Sequence, residues 1–389
     1  MTAPPRSVEH LVIGGGPAGA MVALRLAAAG RSVTLLEKEP GPHDKVCGEF
    51  LSREAVDYLQ QAGISPLDLG ATTIGNVRLS AGNKIVEAPL PFHALSLSRR
   101  VLDAHLLACA EEKGCRIMRG FSAESLTPES NGWRVTLSNG RFIRASTVFL
   151  ATGKHDLRGF PRTHARQSNL VGFKMHWQLA PAQVAALRDS MDLYLFTGGY
   201  GGLSLIEDSI ANLCFVVRRS ALRSVGGWPQ LLASILRRNR HLHQLLDGAT
   251  PLWPRPLAIS PIPYGYLAGE SGGLWCVGDQ AAVIPSFTGD GISIALHSAA
   301  LAAQMFLSGS SAADYTRTLR QQLTHSMTLS TWLSRAAVTH GGRTAALAAL
   351  TLAPGVMRWV AASTRIPQSS LVPGGASLHG AGPAVRQSA

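Results

Sequence analysis

The 389-residue sequence is short of several residue types, and each shortage limits what the protein can be. It has five cysteines, and no two are spaced as metal ligands or as a redox pair, so we predict no metal site and expect a reducing, cytoplasmic setting. The N-terminus shows no signal-peptide pattern. The most apolar stretch near the C-terminus, residues 344–363, is interrupted by Pro354 and Arg358, which argues against a membrane span.

Acidic residues are scarce in the second half of the chain. Residues 209–389 carry 14 basic and 5 acidic residues, whereas residues 1–208 carry 22 and 19, and the whole chain has a net charge of +12. We find no nucleic-acid-binding module and no interleaving of basic and aromatic residues, so we predict no nucleic-acid partner. The basic C-terminal region could instead meet a phosphate-bearing cofactor or an anionic lipid surface, and the second alternative would make the protein peripherally membrane-associated.

The most informative pattern lies near the start of the chain. An apolar strand over residues 11–13 leads into Gly14-x-Gly16-x-x-Gly19, an Ala- and Leu-rich helix follows, and a second strand ends at Glu37. Glycines at these positions allow a tight turn, close approach to a pyrophosphate and close helix packing, and the acid can bind a ribose. The pattern predicts a dinucleotide at the helix N-terminus. The predicted contacts are Gly14, Gly16, Pro17, Ala18, Gly19, Glu37 and Lys38.

Two further blocks narrow the class of dinucleotide. One contains Gly278-Asp279 and then Pro285-Ser286-Phe287-Thr288-Gly289-Asp290-Gly291-Ile292, and the other begins Ser98-Arg99-Arg100. Together with the glycine block, they resemble the FAD-dependent monooxygenases of the aromatic-hydroxylase type and the related geranylgeranyl reductases. The resemblance spans about residues 8–335.

This resemblance implies that FAD is the cofactor and that NAD(P)H is the electron donor. Arg99 would contact the FAD phosphates or the ribityl chain, and Gly278 and Asp279 would hold the ribityl hydroxyls. The isoalloxazine would lie beside Gly289, Gly291 and Ile292, with the positive end of the following helix directed at the ring. Pro285 and Phe287 would wall the reacting face.

We predict an α/β fold with a Rossmann-type FAD-binding domain, an inserted antiparallel β-sheet substrate domain and a helical C-terminal region. The FAD domain is assigned residues 1–75, 98–160 and 268–310, and the substrate domain residues 76–97 and 161–267. Helices are assigned to residues 311–365. A composition rich in Gly, Ser, Pro and Ala predicts a disordered tail over residues 366–389.

Other segments differ between the two branches of the family. Ring hydroxylases carry Ala-Asp-Gly-x-x-Ser-x-x-Arg where this chain has Ala151-Thr152-Gly153-Lys154-His155-Asp156-Leu157-Arg158. The segment Lys45-Val46-Cys47-Gly48-Glu49 instead resembles the reductase branch, whose Tyr-x-Trp-x-Phe-Pro segment has only a faint echo in Tyr194-Leu195-Phe196. The Trp-x-Trp-x-Ile-Pro motif of flavin halogenases is absent. Cys47 either borders flavin and substrate as a reacting thiol or fills a tight loop.

The substrate site is less defined. In one predicted strand, Lys174 and His176 share a face, which either lines a substrate pocket or is solvated. Tyr194 and Tyr200 are candidates to bind a phenolic or carbonyl oxygen of a small apolar or aromatic substrate. The stretch 344–363 either packs over the fold as a C-terminal helix or lies on a membrane surface.

The leading hypothesis is an NAD(P)H-dependent monooxygenase that hydroxylates an aromatic or polyketide-like apolar substrate through a flavin hydroperoxide. The alternative is a geranylgeranyl-reductase-like enzyme that reduces lipid or isoprenoid C=C bonds. A third hypothesis is a non-catalytic flavin- or nucleotide-binding protein, which disagrees with the intact loop from Pro285 to Gly291. No second glycine fingerprint follows a later strand, so the donor would have no Rossmann domain of its own. Nothing in the sequence indicates the oligomeric state.

Overall fold

The computed structural model describes residues 4–162, 165–167, 169–353 and 355–373. In these residues the strands are β1 Ser7–Ile13, β2 Val33–Glu37, β3 Phe50–Leu51, β4 Thr72–Ala81, β5 Lys84–Ser96, β6 Arg116–Arg119, β7 Ala123–Glu129, β8 Gly132–Leu137, β9 Phe142–Leu150, β10 Leu170–Gln178, β11 Asp189–Phe196, β12 Gly199–Leu205, β13 Ile210–Arg218, β14 Thr250–Pro251, β15 Leu257–Ile259, β16 Tyr266–Leu267, β17 Trp275–Cys276 and β18 Ala282–Val283.

The helices in the same part of the chain are α1 Pro17–Ala28, α2 Arg53–Gln61, α3 Arg99–Glu112, α4 Pro181–Leu187, α5 Arg219–Val225, α6 Trp228–Arg238, α7 Arg240–Leu246, α8 Gly291–Leu307, α9 Ala312–Ala337, α10 His340–Leu352 and α11 Gly355–Ser363. Short 3-10 turns lie at Gly278–Gln280, Ser286–Thr288 and Gln368–Ser370.

The first sheet has the strand order β6-β2-β1-β9-β8-β7, with β17 added beside β9. Strands β6, β2, β1, β9 and β17 are parallel, and β7 and β8 are antiparallel to their neighbours. Helices α1, α3 and α8 pack together beside this sheet. Residues 11–13 of β1 and 35–36 of β2 are apolar because buried parallel strands have no solvent face; Leu11, Val12 and Leu35 are fully buried. The predicted Rossmann-type α/β architecture is confirmed.

The second sheet has the order β14-β10-β13-β12-β11-β4-β5-β3, with β15 beside β10. It is antiparallel except where β11 pairs with β4. Side chains alternate between its two faces. One face packs under α4, α6 and α7, for example through Leu213 and Phe215, while Cys214 and Val216 point to the opposite face. This sheet therefore separates a helix-covered core from a cavity.

The second sheet extends beyond the predicted substrate domain. Residues 50–51 pair with the end of β5, and β4 begins at Thr72, although the sequence analysis assigned residues 1–75 to the FAD domain. The chain therefore enters the second sheet through the loop that follows β2. Strand β5 continues to Ser96, and its last residues pair with β3.

Disorder was predicted too early in the tail. Ile366 and Val372 are buried, and the backbone N–H of Val372 donates to Tyr58 Oη at 2.9 Å. The prediction of disorder rested on the overall composition of the tail and gave no weight to these two apolar residues. Residues 374–389, the rest of the predicted disordered tail, lie outside the described residues.

The C-terminal stretch forms two helices, α10 and α11, that contact β5 of the second sheet. Of the two alternatives for residues 344–363, packing over the fold is therefore observed. Among the helices of the described segments, none combines the length and apolar character needed to cross a bilayer. These helices, together with α9, roof the cavity beside the second sheet.

Candidate active site

The glycine loop connects β1 to α1, and its backbone requires glycine at two positions. Gly14 has φ +108°, and a Cβ there would overlap the Ala151 carbonyl. A Cβ at Gly19 would overlap the Gly14 carbonyl oxygen, so α1 packs against the turn at backbone distance. Gly16, Pro17 and Ala18 line the large cavity described below. The loop thus has the close backbone approach that a pyrophosphate needs.

The acidic residue at the end of β2 braces this loop. Glu37 is buried, and its Oε2 accepts a hydrogen bond from the backbone N–H of Gly15 at 2.8 Å. Its Oε1 accepts from the N–H of Glu39 at 3.0 Å. Lys38 is half exposed and lies 3.8 Å from Glu39, away from the cavity lining. Both carboxylate oxygens of Glu37 therefore fix backbone, and any ribose contact would share them.

Arg99 begins α3 and lies against the glycine loop. Its Nε and Nη2 donate to Asp103 Oδ1 and Oδ2, both at 2.8 Å, and a Cβ at Gly16 would lie 3.2 Å from Nη2. Lys45 also donates to Asp103, at 3.0 Å. Burial opposes ionisation of Asp103, but Arg99 and Lys45 hold its pKa below the ordinary aspartate value. The ion pair fixes a cation beside the predicted pyrophosphate position.

The predicted flavin-facing loop follows β17 and leads into α8. Gly278 has φ +61° and Gly289 has φ +77°, both in the left-handed region that favours glycine. The cavity is lined by Gly278, Asp279, Phe287, Gly289, Gly291 and Ile292. Pro285 is buried and is not among the lining residues. Its carbonyl accepts a hydrogen bond from Thr288 Oγ1 at 3.3 Å, so Pro285 shapes the turn, and its place at the reacting face stays a prediction.

A C-terminal arginine fastens the same loop. Arg365, just after α11, donates from Nη1 to Asp290 Oδ1 at 2.5 Å and from Nη2 to the Thr288 carbonyl at 3.2 Å. Its guanidinium lies 4.6 Å from the Phe92 ring centroid. Burial raises the pKa of Asp290 to about 6 despite the nearby Arg365. Sequence reasoning missed this contact because 75 residues separate the two partners.

Arg162 is a second residue that sequence reasoning missed. Its side chain is nearly fully buried, and its Nη1 donates to the carbonyls of Gly153 at 3.1 Å and Asp279 at 3.2 Å. It also pairs with Asp156 at 2.6 Å. By contrast, Arg158, the arginine nearest to the hydroxylase motif position, is exposed and pairs with Glu124. Arg162 therefore joins the segment that replaces the hydroxylase motif, residues 151–158, to the Gly278–Gln280 turn.

Glu49 is the third missed residue. It follows Cys47-Gly48, has φ +58°, lines the cavity and is fully buried. Its Oε1 accepts from the N–H of Arg99 at 2.8 Å and from Lys174 Nζ, and its Oε2 pairs with His176 Nε2 at 3.1 Å. Burial disfavours the carboxylate, but His176 and Lys174 hold the pKa of Glu49 below its ordinary value. No motif spacing in the sequence pointed to this residue.

The face that carries Lys174 and His176 was predicted either to line a substrate pocket or to be solvated. Both side chains are buried, so the face is not solvated, and neither lines the cavity. His176 stacks on Trp253 with ring centroids 4.6 Å apart. Asp44, Glu49 and His176 converge as metal ligands would. The ammonium of Lys174 contacts both carboxylates, at 3.5 Å from Asp44, and so takes the position of a cation.

The cavity between the two sheets has a volume of about 780 Å³. It runs from the glycine loop, past Cys47 and the flavin-facing loop, to α9, α10 and α11. Most of its walls are apolar, among them Val77, Leu79, Leu193, Leu195, Val216, Val283, Leu333, Ala346, Met357 and Val360. A cavity of this size and character is typical of a small-molecule site.

Of the three predicted substrate residues, the structure brings only Tyr200 to this cavity. Tyr194 lies on β11 between Leu193 and Leu195, which point to the cavity, so strand alternation directs Tyr194 to the helix-covered face. There its hydroxyl donates to Asp192 Oδ2 at 3.0 Å. Tyr200 lines the cavity beside Phe287, with ring centroids 5.4 Å apart.

Cys47 also lines the cavity, and its position fits either of the roles considered for it. Its carbonyl accepts from Asn212 Nδ2 at 3.2 Å and from Cys214 Sγ at 2.9 Å, and its Sγ accepts from the N–H of Glu49 at 3.4 Å. Burial raises the pKa of the Cys214 thiol to about 12. The five cysteines are all free.

The residues around the glycine loop and the α8 loop fit FAD. Three features suited to hold FAD lie along one cavity. They are the glycine loop from Gly14 to Gly19, the ion-paired guanidinium of Arg99, and the positive-φ glycines at 278 and 289. A family model described as an FAD binding domain matches residues 7–148. A menaquinone reductase of Mycolicibacterium smegmatis is 28% identical over 319 residues, covering 77% of this chain and 76% of that protein. Residues 7–148 therefore form an FAD-binding domain. The protein is an FAD-dependent oxidoreductase.

Two more proteins are similar to this chain over most of its length. A digeranylgeranylglycerophospholipid reductase 2 of Methanopyrus kandleri is 28% identical over 304 residues, covering 74% of each chain. The crystal structure of a geranylgeranyl bacteriochlorophyll reductase-like protein of Thermoplasma acidophilum superposes with a TM-score of 0.73 over 94% of each chain, at 20% identity. The latter likeness concerns the fold alone. With FAD bound, the glycine loop and Arg99 would hold its ADP part, and the α8 loop its isoalloxazine.

Proposed function

We propose that this oxidoreductase reduces a carbon–carbon double bond in a long apolar, isoprenoid-like molecule. The observation that carries the proposal is the cavity of about 780 Å³, which continues from the flavin-facing loop into a space walled by apolar side chains of the second sheet and of α9 to α11. Such walls favour an extended hydrocarbon because burying apolar surface stabilises binding. The menaquinone reductase and the digeranylgeranylglycerophospholipid reductase, which each match about three quarters of the chain, carry reductase names, and this supports the same reaction class.

The reaction needs one hydride, which carries the two electrons, and one proton. When bound and reduced by NAD(P)H, FAD would supply the hydride for one alkene carbon and a proton would add to the other, so that one π bond would be lost and two C–H bonds would form. The chain's own contribution is to position the alkene beside the α8 loop and to keep water away. Phe287 and Cys47 border that part of the cavity.

The substrate is proposed to carry one oxygen-bearing end. Among the apolar walls, Tyr200, Tyr264 and Ser286 form one polar group: Tyr264 Oη donates to Ser286 Oγ at 2.7 Å, and Tyr200 Oη lies 3.3 Å from the same oxygen. Burial raises the pKa of both phenols, so they remain protonated donors at neutral pH. A carbonyl or hydroxyl oxygen would find hydrogen-bond partners here.

Anaerobic reoxidation of the reduced protein tests this function. The FAD-loaded protein is reduced with dithionite and mixed without oxygen with geranylgeraniol, using its fully saturated analogue as the control. We expect the oxidised flavin spectrum to return only with the alkene, and the product to gain two hydrogens by mass spectrometry. Failure of the alkene to reoxidise the protein, together with oxygen-dependent consumption of a substrate, would contradict a reductase.

Hydroxylation is the second candidate, and the tyrosine–serine group favours it because a phenolic oxygen fits the same donors. It stays the prediction that the aromatic-hydroxylase resemblance supports. The distinguishing measurement is incorporation of isotopically labelled dioxygen into an aromatic substrate in the presence of NAD(P)H. One labelled oxygen atom in the product would favour the monooxygenase, and none would favour the reductase.

A further inference from the structure

Two tryptophans stand exposed at the roof of the cavity. Trp332 on α9 is 67% exposed and Trp359 on α11 is 60% exposed, and both also line the cavity. Val356, one turn before Trp359, is 37% exposed and lines it as well. Large apolar side chains that reach from a cavity wall into solvent are unusual for a protein surface that remains in water. They mark the place where the cavity meets its surroundings.

The part of the chain beyond Asp314, which forms most of this roof, carries charge of one sign. After Asp314 the sequence contains seven arginines and no acidic residue. Two of the arginines accompany the tryptophans: Arg335 lies one turn beyond Trp332, and Arg358 immediately precedes Trp359. Both are exposed. Tryptophan and arginine together are the side chains that settle at the headgroup level of an anionic bilayer.

We propose that the face carrying Trp332, Val356, Arg358 and Trp359 docks on an anionic lipid bilayer, so that the cavity opens toward the membrane. The two tryptophans insert at the interface and the arginines pair with acidic headgroups. An apolar substrate would then pass from the bilayer into the cavity without crossing water. Only this last step rests on the proposed function.

The charge pattern favours a membrane over a second copy of the chain as the occupant. Two copies meeting through this face would bring exposed arginines against one another, which is unfavourable. An anionic lipid surface supplies the opposite charge and needs no matching shape. The break between α10 and α11 leaves two short helices that lie along the cavity roof, an arrangement suited to the plane of an interface.

Co-sedimentation with vesicles tests the proposal without substrate or turnover. The full-length FAD-loaded protein is mixed with phosphatidylcholine vesicles or with vesicles that also contain phosphatidylglycerol. We expect binding only to the anionic vesicles, weakened by high salt. Trp332→Ala with Trp359→Ala should reduce the partition coefficient about tenfold or more. Arg358→Gln should reduce it about fivefold.

Leu67→Ala is the matched control, because Leu67 is 56% exposed but lies between α2 and β4, outside this face. It should bind vesicles as the unmodified protein does. Circular dichroism and retained yellow colour establish that each variant is folded. No binding to anionic vesicles, or unchanged binding by the tryptophan variant, would overturn the proposal. So would a dimer in sedimentation velocity that the tryptophan substitutions dissociate. Since no alkene is used, none of these outcomes depends on the reductase assignment.

Discussion

At the scale of single residues, the candidate FAD site depends on positions where the packing leaves no space for a larger side chain. Gly19 is the clearest case, since any side chain there would overlap the Gly14 carbonyl. The sequence predicted this glycine from its spacing, and the packing of α1 on the turn gives the physical reason. Glu49 is the opposite case, a buried charge in a left-handed backbone conformation that no motif spacing predicted.

Gly19→Ala should abolish FAD retention and lower the free energy of unfolding by about 3 kcal/mol or more, because backbone must shift to admit the methyl group. The measurements are the flavin content after purification and urea unfolding. Gly41→Ala is the control, since a Cβ at Gly41 would meet nothing within 4 Å. Full flavin content in the Gly19 variant would contradict the predicted packing of this loop.

Glu49→Gln should lower the free energy of unfolding by about 3 kcal/mol at pH 7, because Asp44 would then be the one counter-ion that the described residues offer to the buried ammonium of Lys174. Since the folded pKa of Glu49 is depressed, its contribution is complete above the ordinary glutamate pKa of about 4.3 and is lost as the pH falls toward the folded value. Unfolding at pH 7 and at pH 4 measures both effects.

The variant should therefore differ from the unmodified protein more at pH 7 than at pH 4. Glu129→Gln serves as the comparison, because Glu129 pairs with Arg134 and Arg144 at the protein surface. It should show no measurable change, since exposed ion pairs contribute little. Equal stability of the Glu49 variant and the unmodified protein at pH 7 would show that the cluster does not hold the loop.

At the scale of elements, the sequence predicted faces better than contacts between distant segments. Strand alternation correctly divides β10 into two faces, yet it could not show that loop 44–49 covers the polar one. Likewise, helical composition predicted α10 and α11 but not the salt bridge that follows them. Arg365 joins the end of this C-terminal pair to the flavin-facing loop and thereby couples the roof of the cavity to its cofactor end.

Arg365→Lys should raise the dissociation constant of FAD about tenfold. The lysine keeps a positive charge but cannot bond Asp290 and the Thr288 carbonyl together, so the loop before α8 loses part of its support. Quenching of flavin fluorescence during titration of the apoprotein measures the constant. Arg358→Lys is the control on the same helix pair, because Arg358 is exposed and does not line the cavity. An unchanged FAD dissociation constant for Arg365→Lys would show that the contacts of Arg365 with the loop before α8 do not support FAD binding.

At the scale of the whole molecule, the cavity lies where two sheets and three C-terminal helices meet, and its polar groups depend on all of them. Asp290 is the best probe of this junction. It is buried at the start of α8, and its Oδ2 has no hydrogen-bond partner among the described residues. Its folded pKa of about 6 is higher than that of an unfolded aspartate, so the folded protein holds the proton more tightly.

Stability should consequently fall as the pH rises from about 4 to about 6, because the folded state binds more protons than the unfolded state in that range. Asp290→Asn removes this titration. We expect the variant to gain on the order of 2 kcal/mol relative to the unmodified protein between these pH values. Thermal unfolding across the range measures the difference. A constant difference between the two proteins would show that Asp290 does not titrate there.

The sequence by itself determined the Rossmann-type dinucleotide unit and the existence of a second sheet, because short-range spacing and strand alternation specify local backbone and faces. The FAD cofactor was implied by the family resemblance of three separate blocks. Only the tertiary structure decided which side chains meet. It buried Tyr194 and His176 away from the cavity, brought Tyr200 to it, and joined Glu49 to Lys174 and Arg365 to Asp290. These pairs are separated by 75 to 125 residues, and their contacts follow from how the two sheets and the C-terminal helices pack, which local patterns do not encode.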